Sequence, residues 1–485
     1  MYQSRPQVSL RERTKDFFRV NRLRFIIVAY YTLLVGMTAA GVAYGYYFSE
    51  MFFASNKPAR IEAIMNILKL FWLIPLPYAI LNFYSFIRYP ACIRPYFRPI
   101  IWASRHFHGT FYFRYVTRGQ NPNLVADNVR HAYHLLQQNL PNQWVIEVVT
   151  DIPLDPGIAD ERIRIIVVPA TYQTERGTRY KARSLHYALH ASTATDTDWI
   201  IHLDEETRFN KETLWAIYRF VAREHHDVRV GKRQYARIGQ GVILYGRGTV
   251  VNWLTTLADS IRVGDDYGRF RLQFENGKAY FGMHGSFIVI QNHVEKTIGL
   301  DHGPDASITE DAYFALVAQQ IGIEFAFIHT FMYEKSPFSL RDFIRQRRRW
   351  FGGLWMCVLS GNLPLKERII LGTFMVLWSF SWLCIVMVYV NFIYPTGTPV
   401  WLAVTGGVSF AYYVTLYLIG FFRTFNPRDG FFRFGALLGA QLVLIPIFSL
   451  MEAAGVFYGL VSPPREFYVV QKEWLRPTQP SVTGD

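Results

Sequence analysis

Acidic residues that follow apolar, strand-like runs are the groups in this 485-residue chain best placed to do chemistry. Asp204 and Glu206 come directly after Trp199–Leu203 and are spaced i, i+2. Two carboxylates on a strand-end loop can hold a hard divalent cation, Mn2+ or Mg2+, that bridges a diphosphate and neutralises a leaving group. Asp151 ends the run Trp144–Thr150 and could contact a nucleotide base or ribose, and Thr117 and Arg118, at the end of Phe111–Thr117, join it as donor-side candidates. Lys181 opens a helix-like run, where a cation could meet a diphosphate at the helix N-terminus. Glu310 and Asp311 begin another helix-like run and are the two catalytic candidates. As a general base, Asp311 would deprotonate a hydroxyl that attacks opposite a departing diphosphate, a single displacement with inversion. Gln346, Arg349 and Trp350 complete the set, since Arg can clamp phosphate and Trp can stack on a sugar. In GMHGS (282–286), His284, Gly285 and Ser286 are acceptor-side candidates, because glycine lets a substrate approach closely.

Each of these has a plain structural reading when taken alone. Asp204 and Glu206 could form a solvated acidic turn, and Asp151 a turn or cap. Glu310 and Asp311 could merely complement a helix dipole. Lys181 could face solvent, and GMHGS could be a tight turn. The order of all these strings along one segment favours transfer from a nucleotide-diphosphate donor.

The segment that must position them alternates between two patterns. Strand-like runs are Phe111–Thr117, Trp144–Thr150, Arg162–Pro169, Trp199–Leu203, Val242–Tyr245 and Ser286–Ile290. Helix-like runs are Asn123–Asn139, Lys181–His190, Lys211–Ala222 and Glu310–Ile321. The alternation predicts an α/β fold with a mainly parallel sheet, whose ligands bind beyond the carboxyl ends of the strands. Asp151 and Asp204 fall at those ends.

Hydrophobic residues make up 51% of the chain and concentrate at both ends, leaving a polar middle. This predicts a multi-pass membrane protein with one soluble domain. The net charge of +14 sits beside apolar segments, which fits lipid headgroups and the positive-inside bias rather than nucleic acid. Cys92, Cys357 and Cys384 have neither disulfide nor zinc spacing. The first apolar stretch is too long for a cleavable signal peptide. Residues 1–24 are a basic cytosolic tail. Two spans follow within 25–88, at Phe25–Phe48 and Leu70–Ile87, and return the chain to the cytosol for a catalytic domain at 89–335. An amphipathic interfacial helix at 336–362 begins in Pro337–Ser360, with Ser339 and Asp342 as a capping box and Arg345, Arg347 and Arg348 as a headgroup face. Apolar blocks Ile369–Tyr394, Val400–Phe422 and Phe434–Val461 fill 363–461. Five full spans would leave the tail outside. Pro446 and Glu452 interrupt the last block, so a re-entrant hairpin or two short segments would keep 462–485 cytosolic.

The strings ending at Asp151, HLDEET, TED (Thr309–Asp311) and QRRRW (Gln346–Trp350) resemble, in this order, family 2 membrane glycosyltransferases, including cellulose and hyaluronan synthases. The resemblance implies a GT-A-like domain. It assigns the donor motif to Asp151, the metal motif to Asp204 and Glu206 (with Glu in place of a second Asp), and the base to Asp311. A closer similarity covers most of the chain. Val250–Phe274, Asp198–Thr207, Met332–Phe343 and Glu466–Glu473 resemble Egghead-type β-1,4-mannosyltransferases. That likeness implies GDP-mannose as donor, a glucosylceramide-type lipid as acceptor and an endoplasmic reticulum or Golgi membrane. FYVVQK also resembles a gating-loop motif, which would bring Phe467 and Lys472 over the nucleotide. GMHGS departs from the pattern and leaves the acceptor more open than the donor. Two other readings compete: a processive polysaccharide synthase, and a receptor or transporter with a non-catalytic domain. Asp311→Asn would distinguish the last, because only an enzyme would lose turnover.

Overall fold

Seven strands form one mixed sheet in the computed structural model, which describes residues 10–53, 57–91, 107, 109–140, 143–247, 250–464 and 466–468, with side chains in the first helix described from 24 to 47. The strands are β1 (Phe111–Thr117), β2 (Trp144–Thr150), β3 (Ile163–Val167), β4 (Trp199–Asp204), β5 (Ile238–Leu244), β6 (Ile288–Gln291) and β7 (Phe325–Tyr333). Their order is β3-β2-β1-β4-β6-β5-β7. Pairings β1–β2, β1–β4, β2–β3 and β5–β7 are parallel, and only β6 runs antiparallel to its neighbours β4 and β5. β1, β2 and β5 are buried along their whole length, as Val-, Ile- and Tyr-rich strands covered on both faces should be. In the middle of the sheet a buried cation ties two strands to the helix that follows β6. Arg114 of β1 pairs with Glu147 of β2 at 2.8 Å and with Glu295 beyond β6 at 3.2 Å.

Ahead of the sheet lie α1 (Leu10–Phe53), α2 (Ala59–Lys69) and α3 (Leu76–Arg88). Flanking or following its strands are α4 (Pro122–Asn139), α5 (Tyr180–Ala191), α6 (Lys211–Arg229), α7 (Trp253–Ala258), α8 (Ser260–Asp265), α9 (Arg271–Glu275), α10 (Asn292–Ile298) and α11 (Glu310–Gln320). After the sheet come α12 (Leu340–Leu359), α13 (Leu365–Ile393), α14 (Val400–Thr424), α15 (Phe431–Val443) and α16 (Ile445–Val461).

Four stretches are long and apolar enough to cross a membrane: Arg24–Tyr47, Ala59–Arg88, Leu365–Ile393 and Val400–Thr424. The second differs from expectation. It starts at Ala59 and breaks at a 3-10 turn, Leu70–Leu73, ahead of Pro75 and Pro77, where the missing amide hydrogens stop a continuous helix. The last block is interrupted as expected. α15 and α16 meet at 55°, and Pro446 sits in the first turn of α16, where its lack of an N–H costs little. α14 is the most enclosed of the spans and crosses α1 at glycines. A Cβ on Gly407 would lie 2.1 Å from the Gly41 carbonyl oxygen, so only glycine allows that approach.

Among the elements with no counterpart in the expected runs, two stand next to the site. β7 forms the far edge of the sheet, and the broken helix 253–275 is wedged between the sheet and the membrane helices. β5 starts four residues before the expected run, because Gly239 and Gly241 hide the strand pattern. α12 is present and capped as predicted, with Ser339 Oγ accepting from the Asp342 N–H at 3.1 Å. Its basic residues are not a headgroup face. Arg347 is buried and pairs with Asp259 at 2.7 Å and Glu452 at 2.8 Å. Arg348 donates to the Ser462 carbonyl at 2.6 Å, and Arg345 lies over Tyr468. A guanidinium on a half-apolar helix found carboxylates on its neighbours before it found lipid.

Candidate active site

The carboxyl ends of β1, β2 and β4 open into one cavity of about 920 Å³ that continues between the membrane helices. Thr117, Arg118, Asp151, Lys181, Asp204, Glu206, His284, Gly285, Ser286, Glu310, Asp311, Gln346, Arg349, Trp350 and Phe467 all line it. Of the residues expected at the site, only Lys472 lies outside the described residues.

Alternation along β4 and its exit sorts the acids. Glu205 turns inward, is 5% exposed, and accepts from Thr117 Oγ1 and from Asn121 Nδ2, the latter at 2.7 Å. Its neighbours Asp204 and Glu206 are left on the cavity side. Glu205 therefore ties the ends of β1 and β4 together, and Thr117 supports the site through it.

Lys181, at the start of α5, joins the carboxylate groups. Its ammonium lies 2.6 Å from Asp204 Oδ1, 2.8 Å from the Gly285 carbonyl and 3.4 Å from Glu310 Oε1. Burial disfavours its charge, but Asp204 and Glu310 outweigh that and hold its pKa above the usual lysine value. Burial lifts Glu310 and Asp311 above the ordinary carboxylate range, against the pull of Lys181. Asp311 Oδ1 accepts from the Ala312 N–H at 2.8 Å. Its Oδ2 faces Gly285, where a Cβ would stand 3.0 Å away and another 3.0 Å from Lys181 Nζ. Gly285 is thus required by close approach rather than by backbone angle.

Asp151 accepts from Arg183 Nη2 at 2.6 Å and from Ser184 Oγ at 3.3 Å. Opposite the carboxylates, His284 Nε2 is 2.6 Å from Asp266 Oδ1, and its ring packs 4.8 Å from that of Phe270. Burial works against a charged His284, but Asp266 prevails and raises its pKa. Ser286 Oγ donates to Glu334, which also accepts from Thr207 Oγ1 at 2.7 Å. Asp266 and Glu334 were missed because each lies at the edge of an element not read from sequence.

α12 closes the cavity. Gln346 accepts from Arg347 Nη1 at 3.0 Å, and the Trp350 ring lies 4.2 Å from the Arg262 guanidinium and 4.5 Å from that of Arg347. Arg349 stacks 4.0 Å from Phe467, whose ring also meets that of Tyr180 at 5.6 Å. Tyr468 donates to Asp342, so the start of the tail is laid along α12 beside the α5 entrance. Such an arrangement can neutralise a diphosphate, supply a buried base and exclude water.

A family model described as glycosyl transferase family group 2 matches residues 199–424. Beta-1,4-mannosyltransferase egh of Drosophila melanogaster is 37% identical over 84% of this chain and 88% of its own length. Beta-1,4-mannosyltransferase bre-3 of Caenorhabditis briggsae is 37% identical over 74% of this chain and 78% of its own. Among solved structures, mannosyltransferase PcManGT from Pyrobaculum calidifontis in complex with GDP-Man and Mn2+ covers 83% of this chain and 99% of its own at 13% identity, with a TM-score of 0.47, too distant to transfer a site. Sequence identity at that level over that span, on a GT-A-like sheet with several apolar helices, makes this chain a hexosyltransferase belonging to the Egghead and bre-3 family of β-1,4-mannosyltransferases.

Proposed function

We propose that this enzyme transfers one mannose from GDP-mannose to the glucose of glucosylceramide, forming a β-1,4 linkage with inversion at the cytosolic face of an endoplasmic reticulum or Golgi membrane. The observation that carries the reading is the single cavity. It joins the buried Asp311 to the Asp204 and Glu206 carboxylates at one end and to apolar helices long enough to span a membrane at the other. A lipid-linked sugar and a water-soluble nucleotide sugar can meet only in such a space.

In this reading, 89–335 is the catalytic unit. Asp204 and Glu206 would hold Mn2+ or Mg2+. Two carboxylates with the remaining positions left to phosphate oxygens and water suit these ions, and among the described residues no third acidic, His or Cys side chain joins them. When bound, the cation neutralises the departing diphosphate. Lys181 and Arg349 add positive charge at the same mouth. Thr117, Arg118 and Asp151 address the nucleoside, Asp151 exchanging or sharing its contact with Arg183. Phe467 and Lys472 cover the nucleotide. On the acceptor side, His284, Gly285 and Ser286 frame the sugar, and Trp350 stacks on it. Asp311 Oδ2 takes the acceptor proton, while Glu310, held by Lys181, keeps the loop ahead of α11 in place. Offering GDP-mannose and glucosylceramide to purified enzyme with Mn2+ tests the reading. One added mannose supports it, and polymer from a UDP-sugar without lipid overturns it.

A further inference from the structure

Arg262 of α8 lines the cavity with its hydrogen-bond donors unspent. Its side chain is 18% exposed, and its guanidinium makes no hydrogen bond among the described residues. Among those residues the only carboxylate within 4 Å is Asp259, at 3.9 Å. That carboxylate is committed elsewhere. Its Oδ1 accepts from Arg347 Nη2 at 2.7 Å and its Oδ2 from Ser336 Oγ at 2.6 Å. Arg347 shows the contrast, since its fork is used on Asp259, Glu452 and Gln346. Two rings hold the Arg262 guanidinium instead, Trp350 at 4.2 Å and Tyr245 at 4.5 Å. Stacking fixes the plane of a guanidinium and leaves the N–H groups at its rim available. Shielding a charge from water without a hydrogen-bonding partner is costly, so a group held in this way answers to a ligand rather than to stability.

Two more groups on this wall are unspent. Tyr245, the residue after β5, lines the cavity, and its hydroxyl makes no hydrogen bond among the described residues. His284 is pinned through Nε2 on Asp266, while its Nδ1 makes none. Burial raises the Tyr245 pKa, Arg262 opposes the rise, and Glu334 and Asp266 add to it, so all three charges stand around that ring. The wall adjoins the candidate base, because His284 precedes Gly285, which faces Asp311 Oδ2. Its chemistry narrows the ligand. Asp266 and Glu334 also line the cavity and would repel a phosphate. A sugar ring fits better, because each hydroxyl both accepts from a guanidinium and donates to a carboxylate or an imidazole nitrogen.

We propose that Arg262, flanked by the Tyr245 hydroxyl and His284 Nδ1, donates hydrogen bonds to hydroxyl oxygens of the acceptor glucose, the ring whose 4-hydroxyl Asp311 deprotonates. This rests on the proposed acceptor reading and deepens it, by naming the group that grips the sugar whatever lipid carries it. Charge on the donor diphosphate is met by Lys181 and Arg349, and Arg262 takes no part there. A planar fork held between rings addresses the ring oxygens in one orientation, which a lysine ammonium at the same place would not do.

The test measures kcat/KM for glucosylceramide and for its 2-, 3- and 6-deoxyglucose analogues at saturating GDP-mannose, in the wild type, Arg262→Met and Arg262→Lys. Arg262→Met should lower kcat/KM for glucosylceramide by about ten- to a hundredfold, the worth of a hydrogen bond to a charged group, with the donor KM little changed. The wild type should lose a similar factor on at least one deoxy analogue. Arg262→Met should lose little more on that analogue, because both changes remove the same contact. The readout is a ratio between lipids within one preparation, so partial unfolding does not imitate it. Should Arg262→Met fail to fold, Arg262→Lys, which keeps the charge and loses the fork, carries the same comparison. Losses that multiply on all three analogues would overturn the proposal, as would equal use of every analogue by the wild type. A raised donor KM with acceptor kinetics unchanged would also overturn it and move Arg262 to the phosphates. Each of these outcomes leaves glucosylceramide mannosylation standing. No transfer to glucosylceramide by the wild type would remove the acceptor reading, and this inference with it.

Discussion

Asp311 commits one carboxylate oxygen to the N–H of Ala312 and presents the other to Gly285. In the proposed role as general base, a carboxylate held in that way needs no further partner to be aimed. Replacing it with Asn keeps the shape and removes the proton acceptor. Turnover should fall by about 10²–10⁴-fold with the donor KM little changed. Near-normal turnover in Asp311→Asn would exclude it as the base. The pH dependence follows from burial. The reaction needs the deprotonated form, and burial raises the pKa above the ordinary aspartate value of 3.8. The acidic limb of kcat/KM should therefore sit above that value, with activity falling as pH drops through it. A limb at or below 3.8 would place the titration elsewhere. Gly285→Ala should depress turnover through space alone, because its Cβ lands 3.0 Å from both Asp311 Oδ2 and Lys181 Nζ. Full activity in that variant would mean the pocket is looser than described. Residue types alone marked these positions, since chemistry restricts them to acids, a cation and glycine. Asp266 and Glu334 were not legible, because their partners lie 18 and 127 positions away in the chain, His284 for Asp266 and Thr207 for Glu334.

Among the elements, β1 and β2 match their expected runs end to end, because continuous β-branched and aromatic stretches bounded by polar residues have one reading. β7 and the broken helix 253–275 went unread for opposite reasons. The first is an apolar run bounded by Gly322 and Pro337 that follows directly on α11 and was not separated from it. The second is a set of short helices whose periodicity resets at each break. α12 was placed correctly, but its arginines were misread, since a helical stripe of cations does not say whether lipid or carboxylates face it. That correction makes a prediction. Arg347 joins α12 to α8 and α16 through Asp259 and Glu452, and it is 2% exposed. Arg347→Met leaves two carboxylates without their cation, a loss on the order of 3–5 kcal/mol for a buried pair. The purified variant should unfold at a clearly lower temperature than wild type. An unchanged unfolding temperature would return Arg347 to the lipid surface.

At the scale of the whole molecule, four apolar helices and one bent pair enclose the membrane end of the active-site cavity. If the four apolar stretches all cross and the bent pair is re-entrant, both termini lie on the same side. By the positive-inside bias, basic residues before the first span would put that side in the cytosol. Tags at the two ends should therefore be equally accessible to protease added outside sealed microsomes. Protection of one end only would require α15 and α16 to form a full crossing. The proposed function pairs one soluble with one lipid substrate in this cavity, and that proposal is tested most directly by a donor-by-acceptor assay. Purified enzyme in detergent with Mn2+ would receive GDP-mannose, UDP-glucose or UDP-N-acetylglucosamine, each with and without glucosylceramide. A single mannose added to glucosylceramide, from GDP-mannose alone, is the predicted result. Chain-length-distributed polymer from a UDP-sugar in the absence of lipid would contradict it.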